Sequence, residues 1–368
     1  MAELLAQYDD LSGGHWGNQG PRTAPEKTFG GVNTLLTRQG NVTPVCASRA
    51  FTFNNMIAGY VWGTFWAWGL DGLVYQIQQT GASQLWNLYA WSPDITAIPL
   101  SVTTIGAITG PVTTEPDWTA LQNQLYVTVW GDKTYVYTPS TATFASLTGS
   151  YGAAPAGRAI CMFGDRLCVG GIKDARFGDA PNRIHFSGDD TANNPTDRTA
   201  WESLNYFDVG ADGTPIAGLY PTRDFLVVVL ADQQVWTVTG VPGVNATARR
   251  LYGFHKGKGG AGGYAPSHGV VDPAQTRVWM FDHAYRGPTR FNGASMSRVP
   301  QFGSPNASRV ADEIVDGAVT PLGGPDEFIM HGVAVSRAAG EGVIDTSLEL
   351  IRFNGAYGLV RRDVIGDR

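Results

Sequence analysis

The chain has 368 residues, 43% hydrophobic and 16% charged, a composition that excludes a disordered protein and a charged coiled coil. It holds five Lys and eight Glu against 21 Arg and 24 Asp, a bias against helix, and its 47 Gly, 21 Pro and many aromatic residues are typical of short strands joined by tight turns. The net charge of −6 and the absence of a basic stripe argue against a protein that grips nucleic acid.

Residues 1–50 are rich in Gly, Pro, Asn and Thr and show little apolar periodicity. They are predicted to form an extended N-terminal arm with a first edge strand, ahead of one large domain over residues 51–368. The opening MAELLAQYDD has neither a basic region nor a long apolar core, so no signal peptide is predicted. No apolar run approaches the roughly 20 residues that span a bilayer, so no membrane insertion is expected.

An aromatic cluster follows in residues 60–91, with Trp62, Trp66 and Trp68 at its centre. Tryptophan rings bind sugars and nucleobases, whereas aromatic residues that alternate along strands more often fill a core or a subunit interface. We favour a core or an interface here. A carbohydrate- or receptor-binding surface is the alternative.

Apolar runs bounded by turn residues recur along the chain, and their first strands begin near residues 73, 125, 166, 225, 277 and 348. Repeating hairpin units of about 50 residues are typical of a β-propeller, in which each blade is a small sheet of about four strands. The sequence therefore predicts an all-β fold, a single β-propeller of about five to seven irregular blades. A double sandwich is the competing architecture.

Residues 225–240 give the clearest hairpin. FLVVVL is short and β-branched, as in a strand buried on both faces, and an alternating VWTVT follows the next turn. Residues 139–158 are predicted to connect two blades. Helix is scarce, and the best candidate is 308–315, with Ser308 as its N-cap.

The stretch PNRIHFSGDDTANNPTDRTAWESLNYFDVG, residues 181–210, is dense in Asp and Asn. A glycosidase needs two carboxylates at a defined separation, and Asp189, Asp190, Asp197, Glu202 and Asp208 are the candidates. The same residue types satisfy their own backbone in long loops. We favour a loop joining strands over a catalytic site.

Metal, thiol and cofactor chemistry find little support in the sequence. The six His are scattered along the chain, without the spacing of metal ligands. The three Cys are an odd number and cannot close a disulfide framework. Cys161 and Cys168 lie on either side of a predicted turn and are interpreted as small buried residues. Residues 257–262 match a dinucleotide-binding pattern, but the following Gly-Tyr-Ala-Pro cannot open a helix. This loop is predicted to lie at the surface, and no cofactor or metal is expected.

The order of short sequence segments from residue 165 to 240 resembles that in β-propeller proteins of tailed-phage virions, namely the tail nozzle, tail tubular and minor tail proteins. The matching segments are Asn182–Ser187, Pro195-Thr196 with Trp201, Phe207–Gly210, Asp212–Leu219 and Phe225–Gly240. Residues 8–45 resemble the start of the same proteins more loosely, through Tyr8–Gly14, Asn33–Leu36 and Gly40–Pro44.

The resemblance implies a non-enzymatic structural protein of the virion tail, made in the host cytoplasm. Its expected partners are other copies of itself in a ring and neighbouring tail or connector proteins, with DNA at most a passing cargo. A propeller glycoside hydrolase is a further alternative. The predicted interaction residues are Gly13, Gly14, His15, Trp16, Trp62, Trp66, Trp68, His255, Lys256 and Lys258.

Overall fold

The computed structural model describes residues 116–188, 197–210, 213–231 and 234–251 continuously, and elsewhere the strands named below with a few neighbouring residues. Every regular element in these parts is a strand, apart from one 3-10 turn at Pro139–Thr141. The predicted all-β class is confirmed. Within the described residues, no helix is long and apolar enough to cross a membrane.

Residues 1–50 contribute four short strands, which form a parallel pair and an antiparallel pair: β1 (Gly14–His15) with β2 (Thr28–Phe29), and β3 (Thr34–Leu36) with β4 (Val42–Pro44).

Residues 51–267 form one compact unit of successive small sheets. The first is a five-stranded sheet in the order β5-β9-β8-β7-β6, made of β5 (Phe53–Asn54), β6 (Val61–Trp66), β7 (Val74–Thr80), β8 (Leu85–Trp91) and β9 (Leu100–Ile108). The second is a four-stranded antiparallel sheet of β10 (Asp117–Leu121), β11 (Gln124–Thr128), β12 (Thr134–Thr138) and β13 (Thr143–Ser146), followed by the hairpin β14 (Thr148–Gly149) and β15 (Gly152–Ala153).

Two more four-stranded antiparallel sheets complete this unit, each with its strands in chain order. They consist of β16 (Ala159–Phe163), β17 (Arg166–Asp174), β18 (Gly178–Phe186) and β19 (Tyr206–Asp208), and of β20 (Ile216–Pro221), β21 (Phe225–Leu230), β22 (Val235–Thr239) and β23 (Thr247–Arg250).

Residues 268–368 form two further sheets of the same kind and belong to a second compact unit together with residues 1–50. Within that unit β1 and β3 contact β31. The strands are β24 (Gly269–Val271), β25 (Val278–Asp282), β26 (Gly287–Phe291) and β27 (Met296–Arg298), then β28 (Ile314–Pro321), β29 (Phe328–Val335), β30 (Ile344–Phe353) and β31 (Ala356–Asp363).

The hairpin predicted at residues 225–240 is present as β21 and β22. All six residues of β21 are buried, as expected for a strand covered on both faces. The turn between β16 and β17 is also as predicted: Gly164 (φ 58°) and Asp165 (φ 62°) both adopt the left-handed conformation of a two-residue hairpin turn.

Two local predictions are wrong. Residues 139–158 are more than a connection, because Thr143–Ser146 completes a sheet as β13 and β14–β15 form a hairpin. The helix predicted over residues 308–315 fails at its end, where Ile314 and Val315 begin β28, while residues 308–313 lie outside the described part. Pairing with β29 and the β-branched side chains of Ile314 and Val315 outweigh the local capping signal.

The core of the 51–267 unit lies between successive sheets. One cluster joins β16–β19 to β20–β23 and includes Phe186, Ile216, Leu226 and Val228, all buried. The first strands of three successive sheets lie close together, since β16 contacts both β10 and β20. Each sheet therefore covers a face of the next.

Candidate functional site

The ten predicted interaction residues fall into three groups. Gly14 and His15 form β1 and pair with Thr28 and Phe29 of β2. Trp62 and Trp66 lie in β6, opposite Ile77 and Val74 of β7 in the backbone register. The remaining predicted residues lie outside the described part of the chain: Gly13, Trp16, Trp68, His255, Lys256 and Lys258. A role for these ten residues in an interaction stays a prediction.

Two carboxylates of the polar stretch 181–210 have structural partners. Asp197 Oδ1 accepts hydrogen bonds from the backbone N and the Oγ1 of Thr199, at 2.9 Å and 2.8 Å. Asp208 pairs with Arg183 through two hydrogen bonds of 2.7 Å and 3.1 Å. Asp189 and Asp190 lie outside the described residues. Asp197 therefore holds a turn, and Asp208 ties β19 to β18.

The Arg183–Asp208 pair borders a buried histidine. Arg183 Cζ lies 3.6 Å from the centre of the Tyr206 ring, and Tyr206 stands opposite His185 in the strand register, with 5.4 Å between the ring centres. Burial, reinforced by the charge of Arg183, lowers the pKa of His185 to about 4. The bond to Asp208 raises the pKa of Arg183. His185 is thus neutral at neutral pH.

A second polar arrangement surrounds Trp130 in the turn between β11 and β12. Arg158 Cζ lies 4.3 Å and Lys173 Nζ 4.4 Å from the centre of the Trp130 ring, so both cations make cation–π contacts with it. Trp130 and Arg158 are half-buried, and Lys173 is exposed. Burial lowers the pKa of Arg158, an effect that Asp179 partly opposes. We call Trp130, Arg158 and Lys173 the Trp130 cluster.

Local backbone geometry builds the Trp130 cluster. A β-bulge interrupts the pairing of β17 with β18 between Gly170 and Ile172, and Gly171 within it has φ 72°. A Cβ on Gly171 would lie 3.2 Å from Arg158 Cβ, so the glycine leaves room for the arginine. The bulge places Lys173 at the end of β17 where the β11–β12 turn also lies. The cluster can present positive charge to a partner at this end of two neighbouring sheets.

Metal and thiol chemistry have no built site in the described residues, where no three His, Cys, Asp or Glu side chains come together. Cys161 and Cys168 are free, buried and directly opposite each other on β16 and β17. Burial raises the pKa of Cys161 well above its usual value. Both thiols are buried, as the sequence predicts, and Cys46 lies outside the described part.

Sequence reasoning missed the Trp130 cluster. Its members are separated by 28 and 15 residues along the chain, from 130 to 158 and from 158 to 173, and belong to three different segments. The one local signal is the Gly170-Gly171 pair between the apolar residues of a strand, which is typical of a bulge.

No protein-family model and no curated protein matches the sequence. Solved structures with a partly similar backbone include the "Crystal Structure of Mitotic Checkpoint Complex", at 11% identity over 88% of this chain and 87% of that chain, with a TM-score of 0.46. The computationally designed Ika8 protein matches at 9% identity over 86% of this chain and 78% of its own, with a TM-score of 0.44. The designed Ika4 protein matches at 11% identity over 52% of this chain and 98% of its own, with a TM-score of 0.34. Because all three TM-scores are below 0.5, these similarities establish neither the fold nor the function of this chain.

Proposed function

We propose that this chain is a non-enzymatic structural subunit of a tailed-phage virion, in which its sheets are the blades of a single β-propeller. The subunit joins a ring of identical copies and contacts neighbouring tail or connector proteins through its loops and its N-terminal arm. We base the proposal on the resemblance of residues 165–240 to phage tail proteins and on the position of these residues in the sheets β16–β19 and β20–β23.

The propeller is supported by the repeated sheet plan. Five sheets in the described residues have four strands in chain order, and β16, the first strand of its sheet, contacts the first strands β10 and β20 of its neighbours. Blades of a propeller meet in this way, since their first strands line the common axis. Propeller packing also accounts for the hydrophobic core between neighbouring sheets, because the face of each blade is covered by the next blade.

The resembling segments coincide with structural features of two successive sheets. Asn182–Ser187 covers the end of β18, Phe207–Gly210 covers β19 and the turn after it, and Phe225–Gly240 covers the β21–β22 hairpin. Trp201, from the loop between β18 and β19, is completely buried. These features serve packing and chain reversal, which supports a structural role for the polar stretch.

The Trp130 cluster is our candidate contact surface on this subunit. Lys173 is exposed and held by the ring of Trp130, so its charge has a defined position. Fixed surface charges of this kind set the register between partners more than they add affinity. We therefore place an acidic surface of a neighbouring subunit or tail protein against Lys173.

The proposal is tested by deleting the gene from the virus and supplying variants in trans. Without the chain, particles should lack a complete tail, and the wild-type chain should restore them. The Lys173→Glu variant should fold normally and restore few particles. Lys133 is also exposed and lies in the β11–β12 turn outside the cluster, and the Lys133→Glu variant should restore particles fully. Complete particles in the absence of the chain would overturn the virion role, and full rescue by Lys173→Glu would overturn the contact surface alone.

The rival functions give different results in the same system. A carbohydrate- or receptor-binding propeller would leave tails complete and remove only attachment to cells, and the purified chain would bind glycans on an array. A glycoside hydrolase would release sugar from a polysaccharide, and Asp189→Asn or Glu202→Gln would abolish the release. The structural role predicts neither activity.

A further inference from the structure

Five side chains of β18, β19 and the turn between β17 and β18 contact one another in a row, with the ring planes of Phe177 and Tyr206 tilted by 59° and 43° against that of His185. Arg176 Cζ lies 4.5 Å from the centre of the Phe177 ring, which lies 4.5 Å from the His185 ring centre. The His185 ring is followed by Tyr206 at 5.4 Å, and Arg183 Cζ caps Tyr206 at 3.6 Å. We call this arrangement the His185 stack: an imidazole between two aromatic rings, with an arginine at each end.

The histidine at the centre of the stack is closed off from solvent. Its exposed fraction is 1%, and within the described residues neither ring nitrogen has a hydrogen-bond partner. A neutral imidazole tolerates such a position better than an imidazolium, which carries two donors and a charge. The closed position therefore favours the neutral imidazole.

Two of the three charged groups that act on His185 also oppose its protonation. Among the described residues, Arg183 on β18 and Arg176 in the β17–β18 turn disfavour a positive imidazole, while Asp208 on β19 favours it. On the other side, β17 contributes the apolar Val169, which is paired with His185 in the register. The carboxylate of Asp208 is already engaged by Arg183.

The strand that covers the stack is short, although the chain on either side of it is anchored: Trp201 and Val209 are completely buried in the core. Within the described residues, strand β19 has three residues and pairs with β18 through three residue pairs. Tyr206 and Asp208, the two residues of β19 that touch the stack or its ion pair, make up most of that strand. Acid acts on this strand through His185, because protonation places a buried charge next to the ring of Tyr206.

We propose that β19, residues 206–208, forms an acid-sensitive latch that opens on protonation of His185 while Trp201, Val209 and the other strands of the sheet stay in place. Opening would expose Phe177 and the free edge of β18, a template for pairing with a strand of another chain. The proposal is independent of the virion role, since it rests only on the contacts of the stack.

The direction of the pH effect follows from linkage. In the closed segment the pKa of His185 is about 4, and in the open segment it returns towards its ordinary value of 6.5. The open form therefore binds more protons between these two values, and acid favours opening throughout that window. The opening constant should rise by up to about tenfold for each pH unit between 6.5 and 4 and level off below 4.

Hydrogen exchange of the full chain, measured by mass spectrometry and corrected for the intrinsic pH dependence of exchange, tests the latch. Protection in peptides that contain residues 206–208 should fall steeply between pH 6.5 and 4, while residues 225–230 of β21 stay protected. His185→Phe, which keeps a ring and removes the titration, should retain protection over this range. Tyr206→Phe, which keeps the ring and loses only the hydroxyl, should behave as the wild type.

Three results would overturn the proposal. One is the same midpoint for loss of protection in the wild type and in His185→Phe. Another is loss of protection in residues 225–230 at the same pH, which would mean global unfolding. If His185→Phe does not fold, the imidazole signal of the wild type, followed by NMR, decides the matter: titration near pH 6.5 with residues 206–208 still protected would contradict the latch.

Discussion

The side chain of Asp117 accepts a hydrogen bond from the backbone N–H of Ile160, with 2.8 Å between Oδ2 and N. Asp117 opens β10 and Ile160 lies in β16, so this bond joins the first strands of two successive sheets. The other carboxylate oxygen accepts from the backbone N of Trp118 at 2.9 Å. One side chain thus fixes both the start of β10 and its distance from β16.

Asp117→Ala should lower the free energy of unfolding by about 1–3 kcal/mol, because it leaves the N–H of Ile160 without its partner at a part-buried position. Chemical denaturation monitored by tryptophan fluorescence measures the change. Asp224→Ala, at an exposed turn position, is the matched control and should change stability by less than about 0.5 kcal/mol. Equal effects of the two substitutions would show that the inter-sheet bond contributes nothing.

Val228→Asp should unfold the chain or destabilise it by about 3 kcal/mol or more. Val228 is completely buried in the core between two sheets, so the substitution places an unpaired charge there. Ala248→Asp, on the exposed strand β23, introduces the same side chain in solvent and should be tolerated. An unchanged melting temperature for Val228→Asp would mean that β21 is not a core strand.

Gly157→Ala should destabilise the protein by more than about 2 kcal/mol. A Cβ at this position would lie 2.5 Å from Val169 Cγ1 and 2.6 Å from the carbonyl oxygen of Gly170. The backbone of Gly157 cannot withdraw easily, because its N–H donates to Thr128 Oγ1 at 3.0 Å. Gly178→Ala is the comparison: it meets no atom within 4 Å and carries only the strain of its φ of 80°, about 1 kcal/mol. A smaller loss for Gly157→Ala than for Gly178→Ala, in thermal melts, would contradict this packing.

Deletion of residues 1–45 should leave the sheets of residues 51–267 folded and prevent incorporation into particles. These residues hold β1 to β4, and β1 and β3 contact β31 of the same chain, outside that unit. Circular dichroism measures the folding, and the trans-complementation assay measures incorporation. Deletion of residues 1–5 serves as the control and should have no effect.

Trypsin gives a second test of the arm, since residues 1–50 contain Arg22, Lys27, Arg38 and Arg49 as cleavage sites. We expect cleavage at these sites in the isolated chain and protection in the assembled particle. Normal incorporation of the truncated chain would rule out the arm, as would protection of the segment before assembly.

The sequence predicted the elements whose signals are local. The shortage of Lys and Glu indicates an all-β chain, and FLVVVL followed by an alternating VWTVT specifies β21 and β22 through composition and period alone. Gly164 and Asp165 specify a two-residue turn because both tolerate a positive φ. In each case the deciding residues are neighbours in the chain.

The elements that depend on distant partners were not predictable in the same way. Ile314 begins a strand because Ala334 pairs with it, although the preceding residues have a helical capping pattern. Strand β13 forms on β12 in a segment whose composition is that of a connection. The Trp130 cluster requires Arg158 and Lys173 to reach one ring from two other segments. Such contacts follow from the packing of sheets, which no local pattern of residues encodes.

Electron microscopy of purified particles carrying an epitope tag at the C-terminus of this chain, labelled with gold-conjugated antibody, tests the virion role most directly. We expect gold on the tail of intact particles, at one defined position, and none on particles from the untagged virus. Gold absent from particles, with the tagged chain recovered only from the soluble fraction of the lysate, would contradict it.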